Sequence, residues 1–258
     1  MITAGIDAGS RAIKIVLYDA AERQVLARGR CDQGIRQAAL AAGLLDEMLA
    51  SRDLTRGAVE GIVATGYGRA AIEGAGRTVT EITCHARGAH ASEPGIRTLI
   101  DIGGQDSKVI WLEPDGGVGD FIMNDRCAAG TGRFLELVAA RLDASVGELG
   151  ALAAGRSMPA PISNTCVVFA ETEIVGLLAS RADPRDIAAG VQKAVAARLS
   201  AMIGRRATPP IALTGGVALV PGMADALETA IGAPVSTAPD PEYTGALGAA
   251  LLAVPGRR

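Results

Sequence analysis

The sequence predicts an α/β fold in which one structural unit occurs twice. Apolar strand-like segments, glycine turns and helical stretches alternate along the 258 residues, a pattern typical of mixed sheets flanked by helices. A repeat is the second observation: Ile6-Asp7-Ala8-Gly9-Ser10, followed by Lys14-Ile15-Val16, recurs 94 residues further on as Ile100-Asp101-Ile102-Gly103-Gly104, followed by Lys108-Val109-Ile110. We therefore expect a first domain over residues 1–95, a second over 96–240, and a C-terminal helix over 241–258 that completes the first.

The composition is that of a folded protein that acts on small molecules. Apolar residues make up 49% of the chain, which is enough to bury a core. The formal net charge is −3 with scattered Lys and Arg, and only 3% of residues are aromatic, so we expect no nucleic-acid partner. No apolar run approaches the roughly 20 residues of a membrane span, and the N-terminus carries no export signal. We expect no membrane association and a cytoplasmic location.

Each copy of the repeat predicts a β-hairpin with an aspartate at its mouth. In each copy, the aspartate lies near the end of an apolar strand, a glycine turn follows it, and a second apolar strand begins after the turn. Glycine lets the N–H groups of the turn approach a phosphate, because no Cβ stands in the way. An aspartate beside it can hold Mg²⁺ against that phosphate. Two such hairpins facing each other would form a phosphate clamp.

Two further elements complete the predicted nucleotide site. The segment Ile211–Ala218 is a strand that runs into Gly215 and Gly216, and a helical stretch follows from about Pro221 to Ile231. Such a turn can pass close beneath an adenosine and its α-phosphate. Near the C-terminus, the small residues of Tyr243–Ala250 indicate a helix able to pack closely against the first domain.

The order of these elements resembles the actin, sugar-kinase, acetate-kinase and Hsp70 superfamily. The resemblance implies two duplicated ribonuclease-H-like domains with a nucleotide cleft that closes over Mg-ATP. No Gly-x-x-x-x-Gly-Lys-Ser/Thr run occurs, so the sequence is not that of a P-loop protein. The pattern of a Rossmann dehydrogenase is not convincingly present either.

Two cysteines lie in polar loops ahead of helical segments. After Cys127 comes an apolar stripe whose members are four residues apart, namely Phe134, Val138 and Leu142. After Cys166, the run to Ser180 has helical length and composition. A thiolate at such a place feels the positive end of the helix dipole, which favours metal-bound sulfur. An iron–sulfur cubane takes four thiolates, so two cysteines supply half. A two-fold dimer would supply the rest.

The remaining cysteines and the histidines offer weaker alternatives. A cluster bound by all four cysteines of one subunit is the other arrangement, which we disfavour because Cys31 is predicted to lie on an outer strand. Cys31 and Cys84 are equally well read as buried apolar thiols. His85 and His90 have no second ligand pair at zinc-finger spacing, so we do not expect zinc there.

The motifs together look like the activator component of 2-hydroxyacyl-CoA dehydratases, in the same family as the benzoyl-CoA reductase ATP-binding subunits (BadF/BadG/BcrA/BcrD type). The matching segments are Ala64–Arg69, Asp101–Lys108, Asn124–Glu136 and Cys166–Glu171. Departures are slight, such as Asn164 and Val167. The resemblance implies an ATPase that drives electron transfer, with one [4Fe-4S] cluster per homodimer, a ferredoxin or flavodoxin donor, and a cluster-containing acyl-CoA dehydratase or reductase as the partner.

The site residues expected on this basis form three groups. Asp7 and Asp101 are the candidates for Mg²⁺, Gln105 or Asp106 for orienting the attacking water, and Cys127 and Cys166 for the cluster. Contacts to the ATP or ADP phosphates are expected from Gly9, Ser10, Arg11, Ala12, Ile13, Lys14, Gly103, Gly104 and Gln105, and contacts toward the nucleoside from Gly215, Gly216 and Glu242.

Three other functions stay open, the first of them implied by the same resemblance. One is the ATPase subunit of a benzoyl-CoA reductase-like enzyme. Another is a small-molecule kinase built on the same clamp, and the last is a polymer-forming or chaperone-like ATPase. Neither of the last two has a use for the paired cysteine loops.

Overall fold

The computed structural model of the protein describes residues 1–156, 158–163 and 166–256. The chain divides into two compact units. Unit 1 comprises Met1–Ile96, Leu112–Gly119 and Glu242–Arg258, and unit 2 comprises Arg97–Trp111 and Asp120–Pro241. Each unit is built around one mixed sheet.

The sheet of unit 1 begins with an antiparallel meander. Its strands are β1 (Ile2–Ala8), β2 (Ala12–Asp19), β3 (Gln24–Asp32), β4 (Val59–Thr65) and β5 (Arg77–Thr78), in the order β3-β2-β1-β4-β5. Strands β1, β2 and β3 pair antiparallel, whereas β4 runs parallel to β1. The helices of this unit are α1 (Gln37–Ala50), α2 (Glu81–Ser92) and α8 (Thr244–Leu252). Cys31 lies on β3, which confirms its predicted place on an outer strand.

Helices cover both faces of this sheet. On one face, Leu45 and Leu49 of α1 pack against Ile13 and Ile15 of β2. On the other face, α8 lies so close to β1 that a Cβ on Gly5 would stand 2.0 Å from a carbonyl oxygen of α8. Small residues at these contacts allow the backbones to approach, as the composition of the C-terminal segment suggests.

The sheet of unit 2 repeats the same topology. Its strands are β6 (Thr98–Ile102), β7 (Ser107–Leu112), β8 (Val118–Asn124), β9 (Ile211–Thr214) and β10 (Val235–Thr237), in the order β10-β9-β6-β7-β8. The turn between β7 and β8 belongs to unit 1. The helices are α3 (Gly132–Arg141), α4 (Val146–Ala153), α5 (Val167–Ala179), α6 (Pro184–Ile203) and α7 (Met223–Ile231). The β1/β2 hairpin corresponds to β6/β7, and β4 to β9.

The duplicated α/β fold is therefore confirmed, and so are both hairpins. Asp7 stands opposite Lys14 and Asp101 opposite Lys108 in the registers of the two hairpins. The helix expected after Pro221 begins at Met223. No helix among the described residues is long and apolar enough to cross a membrane.

Candidate functional site

The first hairpin turn joins β1 to β2 around Gly9. The N–H of Gly9 donates to the carbonyl of Ala12 over 3.1 Å, and the Nε2 of Gln33 donates to the carbonyl of Gly9 over 2.8 Å. Lys14 Nζ lies 3.6 Å from Asp7 Oδ2. A Cβ on Gly9 would stand 3.2 Å from that ammonium, so the lysine head covers the glycine. Ser10 and the exposed Arg11 form the turn itself, and Ala12 and Ile13 begin β2 as buried residues.

A second loop supports Asp7 from the end of β4. Gly66 has φ +86°, and the N–H of Gly68 donates to the carbonyl of Ala8 over 2.8 Å. A Cβ on Gly66 would lie 2.5 Å from Asp7 Oδ1 and 2.6 Å from the carbonyl oxygen of Ala8. Glycine is therefore required here for both the backbone angle and the space. In the sequence, this segment is marked only by its resemblance to the family motif.

Behind Asp7 lies a buried histidine that the sequence analysis considered only for zinc. The site of a Cβ on Gly245 would be 2.8 Å from His85 Nε2 and 3.3 Å from Asp7 Oδ2, so both side chains converge on one glycine of α8. Neighbouring Cys84 is fully buried, and burial raises the pKa of its thiol to about 12. His85 and Asp7 approach the same glycine only because α2 packs on α8, so no local sequence signal predicts the arrangement.

At the second hairpin, both carboxylate oxygens of the aspartate have partners on neighbouring strands. Asp101 is 2% exposed, its Oδ1 accepts from the hydroxyl of Thr214 over 3.1 Å, and its Oδ2 lies 3.3 Å from Lys108 Nζ. The same ammonium lies 2.9 Å from Asp106 Oδ2. Gln105 is exposed at the tip of the turn. Thr214 and Lys108 are site residues that the sequence analysis did not assign.

The glycine turn that follows β9, at Gly215 and Gly216, lies close to Asp101. Gly215 has φ +86°, and a Cβ there would stand 2.3 Å from the carbonyl oxygen of Ile102 and 2.9 Å from Asp101 Oδ1. Gly216 is exposed, with nothing within 4 Å of a Cβ built on it. Unit 2 therefore gathers Asp101, Gly103, Gly104, Gln105, Asp106, Gly215 and Gly216 around the ends of β6 and β9.

Glu242, in unit 1, has an ionic partner of its own. Its Oε2 lies 3.3 Å from a guanidinium nitrogen of Arg30 on β3, and its side chain is 16% exposed. The ion pair with Arg30 therefore fixes the position of the Glu242 carboxylate against β3.

The Cys127 loop is a compact, hydrogen-bonded segment tied to the second turn. The Nδ2 of Asn124 donates to the carbonyl of Cys127 over 2.8 Å, and the hydroxyl of Thr131 donates to that of Ala128 over 2.6 Å. At the start of α3, the N–H of Gly132 donates to the carbonyl of Gly103 over 2.9 Å. The next N–H, that of Arg133, donates to the carbonyl of Gly104 over 2.8 Å. Backbone hydrogen bonds thus connect the start of α3, which follows the cysteine loop, to the second hairpin turn.

The two cysteines stand differently relative to their helices. Cys166 is the N-cap of α5, as expected of a residue directly before a helix, whereas Thr131 is the N-cap of α3 and Cys127 lies four residues earlier. The helix dipole acts within about the first turn, so Cys166 feels it more strongly than Cys127. The predicted apolar stripe is correct for Phe134 and Val138, but Leu142 is the C-cap. Asn164, a noted departure, lies outside the described residues.

Two free loop cysteines per chain are half the number of thiolates that a cubane takes. Cys127 and Cys166 are both free and partly exposed, which cluster insertion requires. Within the described residues, no group of three or more His, Cys, Asp or Glu side chains could hold a metal ion. An ion pair between Arg141 and Glu171 joins α3 to α5, so the helices that follow the two cysteines are linked. A four-thiolate cluster on these residues would need a second chain.

Known proteins resemble this chain over nearly its whole length. The activator of lactoyl-CoA dehydratase from Anaerotignum propionicum is 40% identical over 258 residues, covering 98% of this chain and 97% of the relative. A benzoyl-CoA reductase subunit from Thauera aromatica is 31% identical over 261 residues, covering 97% and 92%.

Solved structures match at full length. The activator of 2-hydroxyisocaproyl-CoA dehydratase from Clostridium difficile, with bound ADPNP, superposes with a TM-score of 0.92 at 38% identity, covering 98% of this chain and 94% of that one. The (R)-2-hydroxyglutaryl-CoA dehydratase component A from Acidaminococcus fermentans gives 0.93 at 40%, covering 98% and 97%. A glucokinase of the ROK family from Streptomyces griseus, at 16% identity and a TM-score of 0.58, covers 99% and 100% and shares the fold alone. The sequence profile of the BadF/BadG/BcrA/BcrD ATPase family matches residues 4–253, and the chain belongs to this family.

Proposed function

We propose that this chain is an ATP-hydrolysing activator that passes a low-potential electron to a cluster-containing 2-hydroxyacyl-CoA dehydratase. The proposal includes Mg-ATP bound at the two hairpin turns and a homodimer that shares one [4Fe-4S] cluster between Cys127 and Cys166 of both copies. A ferredoxin or flavodoxin serves as the electron donor. Full-length similarity to dehydratase activators supports the kind of partner.

One observation carries the coupling of ATP to electron transfer. The second phosphate turn accepts hydrogen bonds at Gly103 and Gly104 from the first residues of α3, and the loop that leads into α3 carries Cys127. A shift of that turn on loss of the γ-phosphate would therefore be transmitted to the cysteine through few intervening bonds. Such a switch works only if ATP and ADP contact two conformations differently.

In the proposed mechanism, Asp7 and Asp101 hold Mg²⁺ against the phosphates, directly or through water. The turn N–H groups and Lys14 stabilise the charge that develops on the phosphates. Asp106, at the mouth of the second turn, or exposed Gln105, orients the attacking water. A [4Fe-4S] cluster, when bound, accepts and passes on single electrons. The partly exposed thiols of Cys127 and Cys166 would hold it near the protein surface.

The ATPase subunit of a benzoyl-CoA reductase-like enzyme is the second candidate function. It rests on the 31% identity to the Thauera aromatica reductase subunit across nearly the whole of both chains. The two candidates share the clamp and the cysteine loops and differ in the enzyme that receives the electron. Supplying purified dehydratase or reductase components to the reduced protein and measuring ATP-dependent turnover distinguishes them.

The cluster is tested by iron content and colour after purification without oxygen. We expect about four irons per two chains and a brown protein. Cys127→Ser and Cys166→Ser should each lose the iron, while the matched control Cys31→Ser, on the partly exposed outer strand, should keep it. About eight irons per dimer, or loss of iron in the Cys31 variant, would refute the shared cluster. A protein without iron after reconstitution would refute the electron-transfer function.

A further inference from the structure

The two hairpin turns differ in charge at two aligned positions, Arg11 against Gln105 and Ala12 against Asp106, and the second of these differences lies beside the lysine. The residue two positions before the lysine is Ala12 in the first copy and Asp106 in the second. In the second copy, Lys108 Nζ lies between two carboxylates, 2.9 Å from Asp106 Oδ2 and 3.3 Å from Asp101 Oδ2, with its side chain 2% exposed. In the first copy, Lys14 contacts Asp7 at 3.6 Å and is 18% exposed.

The space over the turn glycine is filled by opposite charges in the two copies. A Cβ on Gly103 would stand 2.6 Å from Asp106 Oδ1, so a carboxylate folds back over that glycine. A Cβ on Gly9 would stand 3.2 Å from Lys14 Nζ, so an ammonium occupies the corresponding place. The first turn therefore presents a cation beside its N–H groups. The second turn presents a carboxylate.

We infer that the two lysines have different roles, although the repeat makes them equivalent in sequence. Lys14 is the cation that contacts the nucleotide phosphates. Lys108 is a positioning residue that fixes the carboxylates of Asp101 and Asp106 and leaves one net negative charge at the second turn, which suits Mg²⁺. A phosphate would have to displace two carboxylates to reach Lys108, whereas Lys14 has one longer contact to give up. The inference rests on the proposed nucleotide site.

A matched pair of substitutions separates the two roles. Lys14→Met should raise the Kd for a non-hydrolysable ATP analogue about tenfold or more, and should change the melting temperature by less than about 2 °C. Lys108→Met removes the buried ammonium that lies between the buried carboxylate of Asp101 and the partly exposed carboxylate of Asp106, so the melting temperature should fall by about 5 °C or more. Adding Asp106→Asn to Lys108→Met should recover part of that loss, because it removes the charge repulsion between the carboxylates of Asp101 and Asp106.

A second experiment leaves both lysines in place. Ala12→Asp copies the carboxylate of the second turn into the first, where it should capture Lys14 and weaken analogue binding about tenfold. Ala12→Asn has the same shape without the charge and should stay within about threefold of the wild type. Adding Lys14→Met to Ala12→Asp should then weaken binding little further, because the captured lysine no longer contacts phosphate.

Clear results would overturn the inference. Equal effects of Lys14→Met and Lys108→Met on both analogue affinity and melting temperature would do so. So would equal binding by the Ala12→Asp and Ala12→Asn variants, which is decisive even if Lys108→Met does not fold. If the wild-type protein bound no nucleotide at all, the proposed function would fail, whereas the melting temperatures would still decide the role of Lys108.

Discussion

Gly66→Ala tests whether the loop after β4 supports Asp7. The substitution adds one methyl group at φ +86°, where an L-residue costs about 1–2 kcal/mol relative to glycine. The added Cβ would lie 2.5 Å from Asp7 Oδ1 and 2.6 Å from the carbonyl oxygen of Ala8. Ordinary contact needs about 3.4 Å, so the loop or the carboxylate must move by about 0.8–0.9 Å. Such overpacking costs a further ~1–3 kcal/mol.

The same chain offers a control for the backbone strain. Gly74 also has positive φ, at +80°, but it is exposed and nothing lies within 4 Å of a Cβ built on it. Gly74→Ala should therefore lose only the ~1–2 kcal/mol of strain. The difference between the two variants measures the contact with Asp7 and Ala8.

The assay combines urea unfolding with Mg-ATP turnover. We expect Gly66→Ala to lose about 2–5 kcal/mol of unfolding free energy. Its kcat/KM should fall by about 10- to 100-fold, because a misplacement approaching 1 Å is costly at the carboxylate that we propose holds Mg²⁺. Gly74→Ala should keep wild-type turnover. If both variants kept the same kcat/KM, the reasoning that links this loop to Asp7 would be wrong.

The remaining predictions concern packing, the buried thiol and the clamp. Gly248→Ala should lower the unfolding free energy by about 3 kcal/mol, since its Cβ would lie 1.8 Å from the carbonyl oxygen of Cys84, whereas Gly43→Ala, in an open stretch of α1, should raise it by about 0.5–1 kcal/mol in urea titrations. Cys84 should resist alkylation at pH 8 until the protein unfolds, as followed by mass spectrometry. Its raised pKa also means that the stability it contributes is present below pH 9 and is lost as the pH rises toward 12. Asp7→Asn should reduce Mg-ATP turnover about tenfold, corresponding to ~1.4 kcal/mol, and a wild-type rate in a folded variant would contradict its assignment to Mg²⁺.

The two hairpins could be predicted because their determinants are local. An aspartate, a glycine turn and a lysine at fixed spacing form one short hairpin, and the same set returns 94 residues later. The helix stripe of Phe134 and Val138 was also readable, since helical periodicity shows within one segment. The start of α3 was less clear, because the turn from Ala128 to Thr131 caps the helix through contacts that spacing does not reveal.

By itself, the sequence determined the duplicated architecture, the candidate turns and the two cysteine loops. Only the tertiary structure decided how those residues are held. His85 and Asp7 converge on Gly245 because α2 crosses α8 at glycines that let two backbones approach closely, and these helices are far apart in sequence. Lys14 and Lys108 look identical in the repeat, yet one is partly exposed beside a glycine turn and the other is buried between two carboxylates. Burial and through-space charge arise from the whole fold, so a linear pattern cannot separate the two lysines.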